Sequence, residues 1–228
     1  MERPLSGRAL AALAPLESKF YQRTTETVAR ALLGKVLIRD LPEGRVAVRL
    51  TEVEAYLGVA DPAAHTYGGR RTERNEVMWG HAGHLYVYFT YGMHHCCNVV
   101  TRCVGVPEAV LLRGAVPVHG GPLISARRGG TTGRRLLDGP AKLCQGLGID
   151  RTLNGADLTR GDAIRLVSDG FVCRRSWVKR LPRVGVAYAG EAAGWPLRFV
   201  VNLEAPAYPG RASPAWSGSC GGVAPRGL

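Results

Sequence analysis

Val46 to Tyr56 reads VAVRLTEVEAY. Side chains alternate across a strand, so Val46, Val48, Leu50, Glu52, Glu54 and Tyr56 are expected on one face. That face is apolar until it meets two carboxylates. A half-buried sheet face ending in Glu-Val-Glu either reaches the solvent rim or enters a site. Partial burial would raise a carboxylate pKa and suit it to general base work. Taken alone, the stretch reads more readily as a strand end with two solvated glutamates.

Working outward, Thr24 or Thr25 is placed to cap a helix with Val28, Ala31 and Leu32 on one face, stopped by Gly34. Lys35 to Asp40 reads as a strand, Pro42-Glu43-Gly44 as a turn, and Arg45 to Tyr56 as the long antiparallel partner. Val59 to Gly83 is polar, rich in Gly and Arg and without clear period, which predicts an ordered functional loop. Further strands are predicted at Leu85 to Tyr91, Asn98 to Arg102 and Ala109 to Pro117, with short ones near Ala163 to Val167, Arg183 to Ala187 and Leu197 to Leu203. Asp138-Gly139-Pro140 opens a helix running through Leu143 and Leu147 to Gly148. Gly120 to Arg135, basic and glycine-rich, reads as a mobile loop, and the Ala, Pro, Gly and Ser-rich stretch after Glu204 as disordered. The expected fold class is α+β: a single domain with a curved, largely antiparallel β-sheet flanked by helices and long functional loops. Residues 1–19 form its N-terminal arm, 20–204 the domain and 205–228 a tail.

With 228 residues, 46% of them hydrophobic, the chain can bury one sizeable core. Its 30 Lys+Arg against 18 Asp+Glu give a net charge of +12 and a pI near 9.9. Such a surface attracts polyanions, nucleic acid first among them. The six cysteines, Cys96, Cys97, Cys103, Cys144, Cys173 and Cys220, show no CxxC pair and follow no secretion signal. A disulfide framework is not expected, and a reducing compartment fits. The Ala/Leu run near the N-terminus is broken by Pro15 and is too short to span a membrane.

A second element is His84 to Asn98, HLYVYFTYGMHHCCN. Tyr86, Tyr88 and Thr90 alternate against Leu85, Val87 and Phe89, so one face packs inward and the other shows aromatic rings. Tyr91 and Gly92 make a turn, leaving Tyr91 at a strand tip. Rings on a basic protein can stack on bases, and a tip residue can wedge into the gap left by an extruded nucleotide. Ordinary tyrosine enrichment in a sheet would give the same pattern. Between these elements, in DPAAHTYGGRRTERN, a returning loop brings His65 toward Glu54. Arg70, Arg71, Thr72, Arg74 and Asn75 suit phosphate contacts beside it.

These pieces occur in order: Glu-Ala-Tyr-Leu-Gly at 54–58, Ala-Ala-His at 63–65, Gly-Gly-Arg with Thr-x-Arg-Asn at 68–75, and Leu-Tyr-Val-Tyr-x-x-Tyr-Gly-Met at 85–93 with Asn98. With Val110 to Arg113, Gly139 to Cys144, Arg183 to Val186 and Pro196 to Phe199, the chain resembles the alkyladenine DNA glycosylase family, also called mammalian-type 3-methyladenine DNA glycosylases. The resemblance runs from about Phe20 to Asn202.

It implies an enzyme that flips a damaged purine from duplex DNA and hydrolyses its bond to the sugar, with Glu54 deprotonating the water. Arg113 and the main-chain carbonyl of Val186 match the groups that help hold that water. Tyr56, Tyr88 and His65 match the groups that stack on the base, Ala63 lies with them, and Asn98 matches the asparagine that rejects normal guanine. Tyr91 matches the wedge. Arg70, Arg71, Thr72, Arg74, Asn75, Met78 and Lys142 fall where the DNA backbone is gripped. The resemblance further implies a monomer working on double-stranded DNA without cofactor, metal or membrane. The location would be cytoplasmic, at the nucleoid in a bacterium, or nuclear in a eukaryote. One departure falls near the water-holding carbonyl, where relatives often carry Gly-His and this chain has Ala187-Tyr188.

Three rival readings are weaker. His94, His95, Cys96 and Cys97 are adjacent, but neighbours on a strand point to opposite faces and chelate poorly. Leu181 to Ala187 superficially matches a helix-hairpin-helix lyase, but Arg183 replaces the turn glycine and no lysine is set for a Schiff base. A non-catalytic nucleic-acid binding module would leave Glu52 and Glu54 unexplained.

Overall fold

The computed structural model describes residues 5–204. Two short helices, α1 (Gly7–Ala11) and α2 (Ser18–Tyr21), precede α3 (Thr25–Leu32). Thr24 stands at the N-cap of α3, although its hydroxyl bonds Thr27 instead of a backbone N–H. The buried face of α3 is Val28, Ala29 and Leu32; Ala31, expected on it, sits at its edge. Gly34 ends the segment at φ +86, where a Cβ would lie 2.7 Å from the Phe171 ring, so only glycine fits.

The hairpin β1 (Val36–Leu41) and β2 (Gly44–Tyr56) turns through Pro42 and Glu43, as expected. After three short 3-10 turns between Gly58 and Trp79, the chain forms β3 (Leu85–Thr90), β4 (His94–Thr101) and β5 (Glu108–His119). There follow α4 (Gly121–Arg127), α5 (Pro140–Leu147), β6 (Ile164–Val167), β7 (Val178–Leu181) and β8 (Arg198–Val201). The sheet order is β3-β4-β5-β2-β1-β6, and β8 joins β2 alongside β7. Every pairing between these strands is antiparallel, which establishes the α+β class.

Three expectations are corrected. Gly120 to Arg135 is no mobile loop: it contains α4, Pro122 sits in its first turn and Ile124 is fully buried in the core. Arg183 to Ala187 is not a strand; the strand of that region is β7, five residues earlier, and the expected segment is held by side chains instead. The tail after Glu204 lies outside the described residues.

The third correction matters most. The core cluster takes Val46, Val48 and Leu50 from β2, then Val53 and Ala55. The buried phase changes from even to odd. Leu50 faces Ala115, Glu52 faces Gly114 and Val53 faces Leu112, so Thr51 on β2 and then Arg113 on β5 are each an extra residue. Bulges of this kind re-aim side chains and recur beside active sites. The consequence is that Glu52, Glu54 and Tyr56 leave the face of Val46, Val48 and Leu50 and project on the opposite one. At the same point along β2, β1 ends as its neighbour and β8 takes over.

The core face of the sheet is covered by α3, α4 and α5. The opposite face is divided. Toward β1 and β6 the N-terminal segment covers it, with Leu10 packed on Val36, Ile38, Ala47 and Val167. Toward β3 and β4 it carries a cavity instead.

Candidate active site

Register assembles the cavity face. Glu54 stands opposite Leu111, Leu111 opposite Asn98, and Asn98 opposite Tyr86, so one row of the sheet runs from the carboxylate to the ring across four strands. Facing residues in a sheet share a side, and Tyr56, Arg113 and Tyr88 flank this row on the same side. Above it lies a cavity of about 460 Å³ whose lining includes Tyr56, His65, Tyr88, Asn98, Arg113 and Val186. Ala63, Met78 and Tyr91 line it too. The sequence reading thus brought together residues that are up to 130 positions apart.

Glu54 itself is 0% exposed and lies beneath the lining. Its Oε1 accepts the Val184 N–H at 2.8 Å and sits 3.5 Å from Arg113 Nε; its Oε2 accepts the Tyr56 hydroxyl at 2.9 Å. All three partners line the cavity. A carboxylate offers about four lone-pair positions, so these partners do not exhaust its capacity to accept hydrogen bonds. Burial raises the Glu54 pKa, against the opposing pull of Arg113, the Val184 N–H and the Tyr56 hydroxyl. Burial and the Glu54 charge likewise raise that of Tyr56, which therefore keeps its proton and donates.

His65 and Tyr88 meet edge to face at 4.6 Å between ring centres, and Tyr88 stacks on Tyr86 at 5.4 Å. His65 Nδ1 and the Tyr86 hydroxyl share a 3.0 Å hydrogen bond. Although solvent reaches the His65 ring through the open cavity, the surrounding protein pushes its pKa down to about 4, chiefly by desolvation and then by Arg74 and Arg70. Water in the cavity softens that push. Asn98 donates to the Tyr86 carbonyl at 3.3 Å.

Arg183 is the anchor of the site. It is fully buried in an ion pair with Asp61, donates to the Ala55 carbonyl at 3.1 Å and lies 4.8 Å from the Tyr56 ring centre. Asp61 also accepts the N–H groups of Leu57 and Ala63. This pair locks the loop after β2 to the 182–186 segment, from which Val184 reaches Glu54.

Tyr91 is 84% exposed at the tip of the β3-β4 hairpin, with φ +52. Arg70, Thr72 and Arg74 line a second cavity of about 290 Å³ next to the first, with His65 between them. Arg74 also lies 5.3 Å from the Tyr88 ring centre.

The other four expected backbone-gripping residues make contacts within the protein. Asn75 is buried and its side chain is spent on Thr72, His65 and Arg70 backbone groups, so it fastens the loop. Met78 is buried among Tyr86, Val100 and Ala109 and supports the cavity floor. Arg71 pairs with Glu76 over Trp79 and lines neither cavity. Lys142 pairs with Asp138 at 2.6 Å on α5, whose first residue Pro140 touches the cavity. Val186 lines the cavity, and its carbonyl already accepts the Ala189 N–H, with a lone pair left.

Sequence reading missed four members. Tyr86 was visible in the alternation of LYVYFT but given no role. Tyr188 is 71% exposed, lines both cavities and donates to the Ala63 carbonyl at 3.1 Å; only its departure from the family pattern drew notice. Arg183 and Val184 lie in the matched Arg183 to Val186 stretch, but nothing local marks the burial of the guanidinium or the role of the Val184 N–H.

A buried carboxylate under a ring-lined cavity, on a protein of net charge +12, marks an enzyme that processes bases of nucleic acids. The family model for methylpurine-DNA glycosylase (MPG) matches residues 19–205. A protein of Methanocella arvoryzae is 46% identical over 185 residues, covering 81% of this chain and 90% of that protein. One of Desulfitobacterium hafniense is 43% identical over 195 residues (82% and 95%), and one of Carboxydothermus hydrogenoformans 52% over 171 (75% and 88%). All three are provisionally named 3-methyladenine DNA glycosylases. The chain belongs to the methylpurine-DNA glycosylase family. It is thus a DNA repair hydrolase of N-glycosyl bonds, with DNA as its substrate.

Proposed function

We propose that this glycosylase extrudes an alkylated or deaminated purine from duplex DNA into the larger cavity and hydrolyses its glycosidic bond, with Glu54 as general base. The observation that carries this reading is the buried Glu54 carboxylate, hydrogen-bonded to the Tyr56 hydroxyl and the Val184 N–H and 3.5 Å from Arg113 Nε, all three of which line the cavity. Burial makes it a better proton acceptor than a solvated carboxylate. A water held against it, with Arg113 and the Val186 carbonyl beside it, would attack C1′ of the extruded nucleotide. The C1′–N bond breaks with its electron pair passing to the base, and the water proton passes to Glu54. An N-alkylated purine is already cationic and leaves as a neutral base, whereas a neutral deaminated purine must also take up a proton from solvent as it leaves.

Tyr56, Tyr88 and His65 supply the clamp, where stacking contributes roughly 1–3 kcal/mol per base and offsets the few kcal/mol that flipping costs. Tyr91 fills the vacated stack. Asn98, on the floor between Tyr86 and Leu111, faces the base edge and discriminates against the amino group of guanine. Among the described residues no lysine lines either cavity, which supports hydrolysis without strand cleavage. The chain would act as a monomer, since flipping and hydrolysis need no second copy.

The test is release of identified bases from duplexes carrying single N-alkylated purines or hypoxanthine, with and without a chelator. Wild type should release the base and leave an intact abasic strand. Glu54→Gln should bind the duplex normally and lose roughly 10²–10⁴ in rate. Binding without release by the wild type would refute the reading.

A further inference from the structure

Glu54 has a neighbour that the reaction does not use. Two residues earlier on β2, past the Thr51 bulge, Glu52 stands on the same face. Its Oε1 accepts Arg113 Nε at 2.9 Å and an Arg198 guanidinium nitrogen at 3.1 Å. The same Arg113 Nε lies 3.5 Å from Glu54 Oε1. Arg198 in turn donates from Nε to the Pro182 carbonyl at 2.9 Å, two residues before the Val184 N–H that bonds Glu54. Glu52 therefore reaches both groups that approach Glu54 Oε1, one directly and one through Arg198.

The opposite strand makes room for this. Gly114 faces Glu52, and a Cβ there would lie 3.1 Å from Glu52 Cβ and 3.5 Å from Oε2. All the side chains of the cluster are largely buried. Two carboxylates and two guanidiniums alternate as a chain, Arg198, Glu52, Arg113, Glu54, in which the charges balance. A guanidinium prefers a two-point grip on a carboxylate. Released from Glu52, Arg113 would close on Glu54, and a carboxylate so paired accepts a proton poorly.

We propose that Glu52 is a positioning residue for the base: it holds Arg113 back from a full ion pair with Glu54, and through Arg198 it holds the segment whose Val184 N–H orients that carboxylate. The inference rests on Glu54 being the base, so the two are tested apart.

The experiment is the pH profile of single-turnover excision of one N-methylated purine from duplex DNA by the full chain. Activity rises as Glu54 loses its proton, so the acid limb reports that step. Glu52→Gln should move the limb to lower pH by on the order of one unit and lower the plateau by roughly tenfold, with DNA affinity unchanged. Arg198→Gln should move it the other way, because Glu52 then draws Arg113 from Glu54 and the Val184 N–H loosens. A limb that stays put in both variants, whatever their melting temperatures, makes Glu52 a purely structural ion-pair partner and overturns the inference. If Glu52→Gln does not fold, the direction in Arg198→Gln decides: no upward movement refutes it. Wild-type rates from Glu54→Gln would instead sink the reading of Glu54, a separate outcome.

Discussion

The guanidinium of Arg183 lies 4.8 Å from the centre of the Tyr56 ring while it is ion-paired with Asp61 out of reach of solvent. One side chain therefore backs the ring expected to stack on the base, ties down the loop after β2, and fixes the segment that orients Glu54. A buried pair gives little net stability over an apolar substitute, but removing one partner strands the other charge.

Arg183→Met is therefore expected to destabilise the fold by roughly 3–5 kcal/mol in urea unfolding. Combining it with Asp61→Asn should recover part of that loss. A single-variant cost within the range of exposed pairs, below about 1 kcal/mol, would show that the anchor is not one.

Glu54 is expected to be a stability liability. Its folded pKa is raised above the ordinary 4.5, mainly by burial, so the folded state binds the proton more tightly than the unfolded chain. Stability from the protonated form is present below 4.5 and is lost as pH rises through the raised folded pKa. Glu54→Gln should melt close to wild type at acid pH and higher than wild type at pH ~8. A melting difference that does not grow with pH would contradict this.

His65 should remain neutral at neutral pH, with its pKa pushed from 6.5 toward about 4. Because the depressed folded pKa means that the unfolded chain takes up the proton first, stability falls as pH drops from 6.5 toward 4. His65→Gln should flatten that slope. Direct NMR titration of the ring should give a midpoint below 6.5; a midpoint at or above it would end the account of a desolvated clamp.

Tyr91 holds a left-handed backbone at φ +52, which costs a non-glycine residue about 1–2 kcal/mol. Such strain at a strand tip fits the wedge role proposed for Tyr91. Tyr91→Gly should leave stability unchanged or raise it by up to about 1 kcal/mol, yet slow excision of a well-paired lesion more than that of a loosely paired one. Equal losses on both substrates would remove the wedge.

Arg70, exposed beside the second cavity, is expected to contact one phosphate. Arg70→Gln should weaken binding to any duplex and reduce the slope of log affinity against log salt by about 1. An unchanged slope would place the phosphates elsewhere.

Local chemistry in the chain determined the hairpin at Pro42-Glu43, the stop at Gly34, the helix from Pro140 to Leu147 and the ring-bearing alternation of β3, because turns, caps and strand period depend on neighbours in sequence. The ordered family motifs pointed in advance to Glu54, Tyr56, His65, Tyr88 and Asn98. What only the tertiary structure decided is the side on which Glu54 emerges. Alternation is a local rule, but the Thr51 and Arg113 bulges are a property of two strands in register, and they reverse the phase. The same holds for Arg183 with Asp61 and for Arg198 with Glu52, pairs separated by more than a hundred residues. Such partners are chosen by packing and desolvation across the finished sheet, which no single stretch of sequence encodes.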